Sequence, residues 1–111
     1  MIHKRELLEN IKRLVLDKRY RVKIHAIRYM IEDGFSEENI IEAVNGRSKI
    51  LENYPNELRC LILSSFHVSE KVTSPLHIVC DYSKEELIDI VTAYIPQKPW
   101  WESPTKRRKD V

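Results

Sequence analysis

The sequence predicts an α+β domain in which N-terminal helices pack on one face of a sheet of about four antiparallel strands. Two observations support this fold class. Apolar residues recur with a helical period in the first half of the chain, whereas in the second half they alternate with polar residues. The links between the alternating segments are short, which favours antiparallel neighbours.

Helices are predicted in the first half from apolar stripes and from their end signals. A first helix, from about residue 4 to 17, carries a stripe at helical spacing that comprises Leu7, Leu8, Ile11, Leu14 and Val15. After a short strand or extended link at residues 20–24, a second helix carries the stripe Ala26, Ile27, Met30 and Ile31. Gly34 ends this second helix, Ser36 caps a third, and Asn45–Gly46 ends the third.

Strands are predicted in the second half at residues 49–54, 60–68, 75–82 and 87–95. Three prolines follow, Pro96, Pro99 and Pro104, and we expect them to exclude regular structure. The chain beyond them is predicted to be an extended arm anchored by Trp100 and Trp101, either as a lid on the core or as base-stacking platforms. The domain is accordingly assigned to residues 1–104, and residues 105–111 are predicted to form a flexible basic tail.

Length and composition indicate one globular domain. The chain has 111 residues, of which 42% are hydrophobic and 32% charged, as in ordinary folded proteins. No apolar run approaches the roughly 20 residues of a membrane span, and the N-terminus lacks the pattern of a signal peptide. Cys60 and Cys80 lie in apolar runs without CxxC spacing, which favours buried free thiols. We therefore expect a reducing, cytoplasmic location.

The net charge of +2 hides an uneven distribution along the chain. Residues 1–30 contain nine Lys/Arg and three Asp/Glu, whereas residues 31–97 contain five and twelve. Residues 98–111 are basic again, with five Lys/Arg and two Asp/Glu. If the basic ends meet in the fold, they form a positive face suited to a polyanion such as RNA. The alternative is that these charged side chains are simply solvated by water.

The residue types present favour acid–base chemistry over metal or nucleotide chemistry. The four histidines lack the spacing of a zinc site, and two glycines do not form a phosphate-cradling loop. No metal or cofactor is therefore expected. Histidine, arginine, lysine and tyrosine suffice to cleave RNA, because the 2′-hydroxyl of the substrate is the nucleophile and the protein only moves protons and stabilises charge.

Candidate site residues lie on the second helix and on the last two strands. His25 and Arg28, at i and i+3, project from one side of the helix. Tyr94 is expected on the same face of its strand as Ile90, and an antiparallel partner would bring it near His77 if the register allows. His77 is expected to be half-exposed, so that its loss would change stability little.

Each candidate also has a structural alternative. A single histidine on a strand is more often structural than catalytic. Arg28 can pair with Glu32 at i+4, and Tyr94 can contribute ordinary sheet packing. The two other histidines, His3 and His67, are assigned to the surface.

Three segments of the chain resemble, in order and spacing, the small bacterial family called domain of unknown function 4258. They are HAIRYMIEDGFSEENIIEAVNGRSKILENYP, PLHIVCDY, and IVTAYIPQKPWW followed by KRRK. The resemblance covers about residues 22–109, and it departs from the family pattern at Tyr29–Met30, where the family has Met directly after Arg. That family is similar in predicted topology to RelE-like and barnase-like ribonucleases, and its members resemble toxins encoded beside zinc-finger antitoxins.

The resemblance implies a RelE-like fold and a metal-independent endoribonuclease toxin that cleaves mRNA. His25 and His77 would share the general base and acid roles, Arg28 would stabilise the scissile phosphate, and Tyr94 would position it. The residues expected to bind the RNA backbone are Lys23, Lys106, Arg107 and Arg108.

The expected partners are mRNA, free or on the ribosome, and a cognate antitoxin protein of the zinc-finger type, with no membrane. The alternative function is a non-catalytic module that binds RNA or protein. Convergence of His25, Arg28 and His77 would favour the enzyme, whereas their separation onto different surfaces would favour the module.

Overall fold

The computed structural model describes residues 3–96, 101–103 and 106–107, with helices first and the main sheet after them. The helices are α1 (Lys4–Leu16), α2 (Ile24–Asp33) and α3 (Glu37–Asn45). The strands are β1 (Tyr20–Val22), β2 (Lys49–Tyr54), β3 (Arg59–His67), β4 (Thr73–Asp81), β5 (Ile88–Tyr94), β6 (Trp101–Ser103) and β7 (Lys106–Arg107).

The helices begin and end where the sequence predicts. α2 ends at Gly34, whose φ of 76° is left-handed and therefore favours glycine. α3 begins at a capping box: the Ser36 hydroxyl accepts from the Asn39 amide at 3.2 Å, and the Asn39 side chain accepts from the Ser36 amide at 2.9 Å. These local interactions confirm the predicted boundaries.

The main sheet has five strands in the order β1-β5-β4-β3-β2. Strands β2 to β5 form the predicted antiparallel meander. β1 adds an edge strand that pairs in parallel with β5, from Tyr20 opposite Ile88 to Val22 opposite Ile90. The prediction of an antiparallel sheet is therefore correct for these four strands, but it did not include the parallel edge strand β1. A three-residue strand has too little alternation to reveal its partner.

The core lies between α1, α3 and one face of the sheet. Its buried helix residues are mainly Leu7, Ile11, Leu14, Val15, Ile40, Ala43 and Val44, and the sheet contributes Cys60, Ile62, Leu76, Ile78, Cys80, Ile88, Ile90 and Ala93. Cys60 and Cys80 lie opposite each other on β3 and β4 as buried free thiols, which confirms the prediction for both.

The second helix contributes less to the core than its sequence suggests. Ala26 is fully buried and Met30 is half-buried, but Ile27 and Ile31 are 39% and 78% exposed. Two of the four residues of the apolar stripe, Ile27 and Ile31, are therefore exposed to solvent. α2 packs mainly along β5, so only one narrow side of the helix is covered.

A β-bulge in β5 decides which residues share a face of the sheet. Val79 pairs with Thr92, but its neighbour Cys80 pairs with Ile90, so Val91 is the extra residue. Ile90 consequently joins Cys80 on the core face, whereas Thr92 lies on the opposite, outer face with Tyr94. The expectation that Ile90 and Tyr94 share a face is wrong, because strict alternation does not hold across a bulge.

The last described strands form a separate antiparallel pair, in which Trp101 lies opposite Arg107. The expectation that prolines exclude regular structure after residue 95 is wrong for this pair. Proline removes a ladder hydrogen bond only inside a strand, and neither β6 nor β7 contains a proline. The predicted mobility of residues 105–111 and the placement of Trp100 fall largely outside the described residues. No helix in the described part of the chain is long and apolar enough to cross a membrane.

Candidate functional site

The outer face of the sheet contains a histidine–tyrosine pair. His77 of β4 lies directly opposite Tyr94 of β5. Its Nδ1 atom is 3.3 Å from the Tyr94 hydroxyl, and the two rings meet edge to face with centroids 5.3 Å apart. His77 and Tyr94 therefore share one face of the sheet and are in contact. The sequence placed them on neighbouring strands, but their contact could be established only from the strand register.

His77 is more deeply buried than expected. The residue has 0% exposure, whereas Tyr94 is partly exposed. The expectation of a half-exposed histidine is wrong, because the pattern of β4 shows which residues alternate but not that both faces of the strand are covered. Solvent reaches the pair at Tyr94, so a substrate would meet the tyrosine before the imidazole.

Helix α2 lies beside this pair. The helix runs along β5 in the same direction: the Lys23 amide donates to the Ile90 carbonyl at 2.9 Å, and the Ile95 amide donates to the Asp33 carboxylate at 3.5 Å. Tyr29, which is 40% exposed, packs its ring against that of Tyr94 at a centroid distance of 6.0 Å. Tyr29 was not among the residues predicted from the sequence, although its i+4 spacing from His25 was a usable signal.

His25 and Arg28 are exposed residues of α2, the helix that supplies Tyr29. His25 precedes Tyr29 by one helical turn, so the two side chains are neighbours on the helix surface. Arg28 lies three residues after His25 and further around the helix toward solvent. The alternative pairing of Arg28 with Glu32 is not formed, since Arg28 makes no ion pair within the part of the chain described.

A buried hydroxyl group lies on the same face of β5. Thr92 is two residues before Tyr94 and pairs with Val79. Its Oγ1 atom is buried and has no hydrogen-bond partner among residues 3–96. Such a group costs about 1–3 kcal/mol unless something pairs with it. A polar group bound beside Tyr94 would satisfy it.

The other predicted site residues lie at the surface or outside the described side chains. His67 is an exposed strand residue whose Nδ1 lies 2.7 Å from a carboxylate oxygen of Glu42, and this contact lowers the pKa of Glu42. The surface assignments of His67 and His3 are confirmed. Lys23 is exposed at the N-cap of α2. The backbone of Lys106 and Arg107 forms β7, while their side chains and Arg108 lie outside the described part.

Much of the remaining positive charge near the sheet is neutralised by carboxylates. Asp89 is 6% exposed and accepts from Arg21 at 2.9 Å and from Lys84 at 2.9 Å. The hydrogen bond from Arg21 and then that from Lys84 hold the pKa of Asp89 below its usual value, although burial opposes them. Arg19 and Arg59 pair with Glu86 and Asp81. Within the described residues no three His, Cys, Asp or Glu side chains are grouped to hold a metal ion.

The fold and this site define a small α+β domain with a His–Tyr pair on the outer face of its sheet, bordered by one helix. Residues 22–95 match the family model described as Domain of unknown function (DUF4258), and the chain belongs to this family. The matched range contains α2 and both residues of the pair, while α1 precedes it. Comparison with curated proteins gave no match, and comparison with solved structures gave none either.

Proposed function

We propose that the protein is a metal-independent endoribonuclease of the toxin–antitoxin type, which cleaves mRNA through the RNA's own 2′-hydroxyl. One observation supports this above the others: the series of contacts from buried His77 through Tyr94 to Tyr29, one helical turn from His25. The His77 imidazole and the Tyr94 hydroxyl meet beside α2, and the exposed side of this helix carries the imidazole of His25 and the guanidinium of Arg28. These are the groups that such a reaction requires.

In the proposed reaction His25 and Tyr94 transfer the two protons. His25 removes the proton of the 2′-hydroxyl as this oxygen attacks the adjacent phosphorus. The bond from phosphorus to the 5′-oxygen breaks, and this oxygen takes a proton from the Tyr94 hydroxyl. The products are a 2′,3′-cyclic phosphate and a free 5′-hydroxyl, and water returns the enzyme to its starting protonation.

His77 is a positioning residue in this scheme, because it is buried behind Tyr94. A hydrogen bond from its Nδ1 would stabilise the phenolate that remains after Tyr94 donates its proton. Arg28 has no carboxylate partner in the described part of the chain, so its guanidinium is available for the charge of the phosphorane. Lys23, exposed at the start of the same helix, would bind a neighbouring phosphate.

The test is cleavage of a defined RNA by purified protein, with product ends identified by their phosphate chemistry. Tyr94→Phe and His25→Ala should each lower the rate by the roughly 10²–10⁴-fold expected for a lost acid or base. Cleavage by the parent protein should persist with a chelator, and its pH profile should be bell-shaped. His77→Phe should move the alkaline limb of that profile to higher pH, because the general acid Tyr94 sets this limb, whereas the loss of a purely structural residue would leave it in place.

His67→Ala is the matched control, because His67 is an exposed histidine on the neighbouring strand β3 and pairs with Glu42. It should cleave at the parent rate. Equal rates for the parent, Tyr94→Phe and His25→Ala would show that any cleavage arises elsewhere, and the proposal would fail. Cleavage that a chelator abolishes would reject the metal-independent mechanism.

A non-catalytic protein-binding module is the second candidate, and the outer side of α2 favours it. Ile24, Ile27 and Ile31 follow one another at helical spacing and are 62%, 39% and 78% exposed. Large exposed aliphatic side chains in a row are typical of protein contacts. If the protein is a ribonuclease, the same stripe would bind the antitoxin. If the protein binds a partner protein through this stripe but cleaves no RNA, the binding module is favoured.

A further inference from the structure

Two neighbouring grooves lie at the β2 edge of the sheet, and Lys49 lines both. The first, with a volume of about 380 Å³, lies between α1 and β2 and is lined by Lys4, Arg5, Leu8, Glu9, Lys12, Lys49 and Ile50. The second, of about 420 Å³, lies over the start of β2 and the ends of β3 and β4 that adjoin it. Its lining residues are Arg47, Lys49, Leu63, Ser64, Ser65, Thr73 and Pro75.

The lining of the two grooves, which we call the β2-edge groove, is strongly basic. It contains five cations and one acid, Glu9. None of the five forms an ion pair within the described residues, whereas the arginines Arg19, Arg21 and Arg59 do. Lys12 is fixed by a hydrogen bond from its Nζ to the Gly46 carbonyl at 2.9 Å. The groove therefore holds a net positive charge, because five cations line it with a single acid and none of the five forms an ion pair within the described residues.

This concentration of charge contrasts with the surrounding sequence. Residues 31–97 contain only five Lys/Arg against twelve Asp/Glu, yet two of the five, Arg47 and Lys49, lie exposed in this groove. α1 adds three more cations from the basic N-terminal segment. A lysine on an edge strand also discourages pairing with another sheet, but that role does not require Arg47 or the cations of α1.

The second groove lies on the same face of the sheet as the His–Tyr pair, whereas the first opens on the α1 side of the β2 edge. Lys49 lies opposite Leu63, Leu63 opposite His77, and His77 opposite Tyr94, so one row crosses four strands. Cross-strand neighbours share a face, so Lys49 lies on the outer face with Tyr94. At about 4.8 Å per strand, the row from Lys49 to Tyr94 spans about 14 Å. A short single strand of RNA could contact both ends.

We propose that the β2-edge groove binds the phosphate backbone of single-stranded RNA and guides it to Tyr94, an inference that rests on the proposed ribonuclease function. The cations bind phosphates, and the exposed Ser65 and Thr73 hydroxyls donate to phosphate oxygens. The lining residues are cationic, hydroxyl-bearing or aliphatic apart from Glu9, so the groove recognises the backbone without preference for base sequence.

The experiment measures binding separately from cleavage, with a fluorescent 2′-O-methyl RNA that cannot be cleaved through its 2′-oxygen. The double variant Arg47→Gln/Lys49→Gln should bind about tenfold more weakly at physiological salt, because it loses two phosphate contacts. The slope of log affinity against log salt should fall by about 1.4, at roughly 0.7 per contact on a single strand. The control Arg13→Gln/Arg19→Gln removes the same charge from exposed positions outside the groove.

A similar loss of RNA affinity in both double variants would mean that only net charge matters, and would contradict the proposed role of the groove. So would parent affinity in the groove variant, or no RNA binding by the parent protein. The proposed cleavage is tested independently with ordinary RNA: if the groove variant changes the salt slope but the parent cleaves nothing, the groove stands and the ribonuclease fails. If the parent cleaves RNA but the slope is unchanged in the groove variant, the ribonuclease stands and the groove fails.

Discussion

His77→Ala tests the burial of the histidine at the site. The imidazole has 0% exposure and hydrogen-bonds to Tyr94, so its removal leaves a cavity and loses that bond. Buried large side chains cost about 2–5 kcal/mol when cut to alanine, and we expect about 3 kcal/mol here. Because a domain of this size is stable by only about 5–15 kcal/mol, the loss is severe. At about 4 °C per kcal/mol, the Tm should fall by about 12 °C.

The assay is urea unfolding followed by far-UV circular dichroism, in which an unchanged slope would show that only stability has changed. His77→Phe keeps most of the volume and should recover more than half of the loss. His67→Ala, with a side chain that is 63% exposed, should cost less than about 1 kcal/mol. If His77→Ala costs as little as His67→Ala, the imidazole is not packed against Tyr94 and cannot position it.

Three further predictions concern the rest of the domain. Ser36→Ala removes the capping box of α3 and should lower the free energy of unfolding by about 1 kcal/mol in urea titrations; no change would mean that the cap contributes nothing. The lowered pKa of Asp89 stabilises the fold above the unfolded pKa of about 3.9, and this contribution is lost as pH falls through the folded pKa. Asp89→Asn should therefore be less stable at pH 7 and lose less stability on acidification than the parent, whereas parallel stability curves would contradict this. Burial raises the pKa of Cys60 to about 12 and that of Cys80 well above its ordinary value, so both should react with Ellman's reagent far more slowly in the native than in the unfolded protein. Equal reaction rates in the native and the unfolded protein would show that the two thiols are not buried.

The helices and the meander were predictable because their signals are local. The stripe from Leu7 to Val15 needs only helical spacing, and the cap at Ser36 needs only its neighbour three residues on. β2 begins and ends at Lys49 and Tyr54, as the alternation predicts. Each of these features is decided by residues close in sequence, where side-chain chemistry determines local conformation.

The site was predictable only in part because it depends on long-range pairing. The residue types pointed to His77 and Tyr94, but their contact required the register of two strands. The bulge at Val91, which moves Ile90 to the core face, has no sequence signal such as glycine. The full burial of His77 follows from what covers the outer face, and alternation along one strand does not contain that information.

The parallel pairing of β1 with β5 also governs when the site can form during synthesis. Arg21 and Asp89, joined across this pair, are 68 residues apart, so the contact closes a long loop. Ribosomes add about 5–20 residues per second, and α2 emerges seconds before the strand on which it packs. A nascent chain that stops before β5 lacks Tyr94 and has no strand beside α2. His25 and Arg28 thus reach their places only when the last strand of the main sheet has been translated.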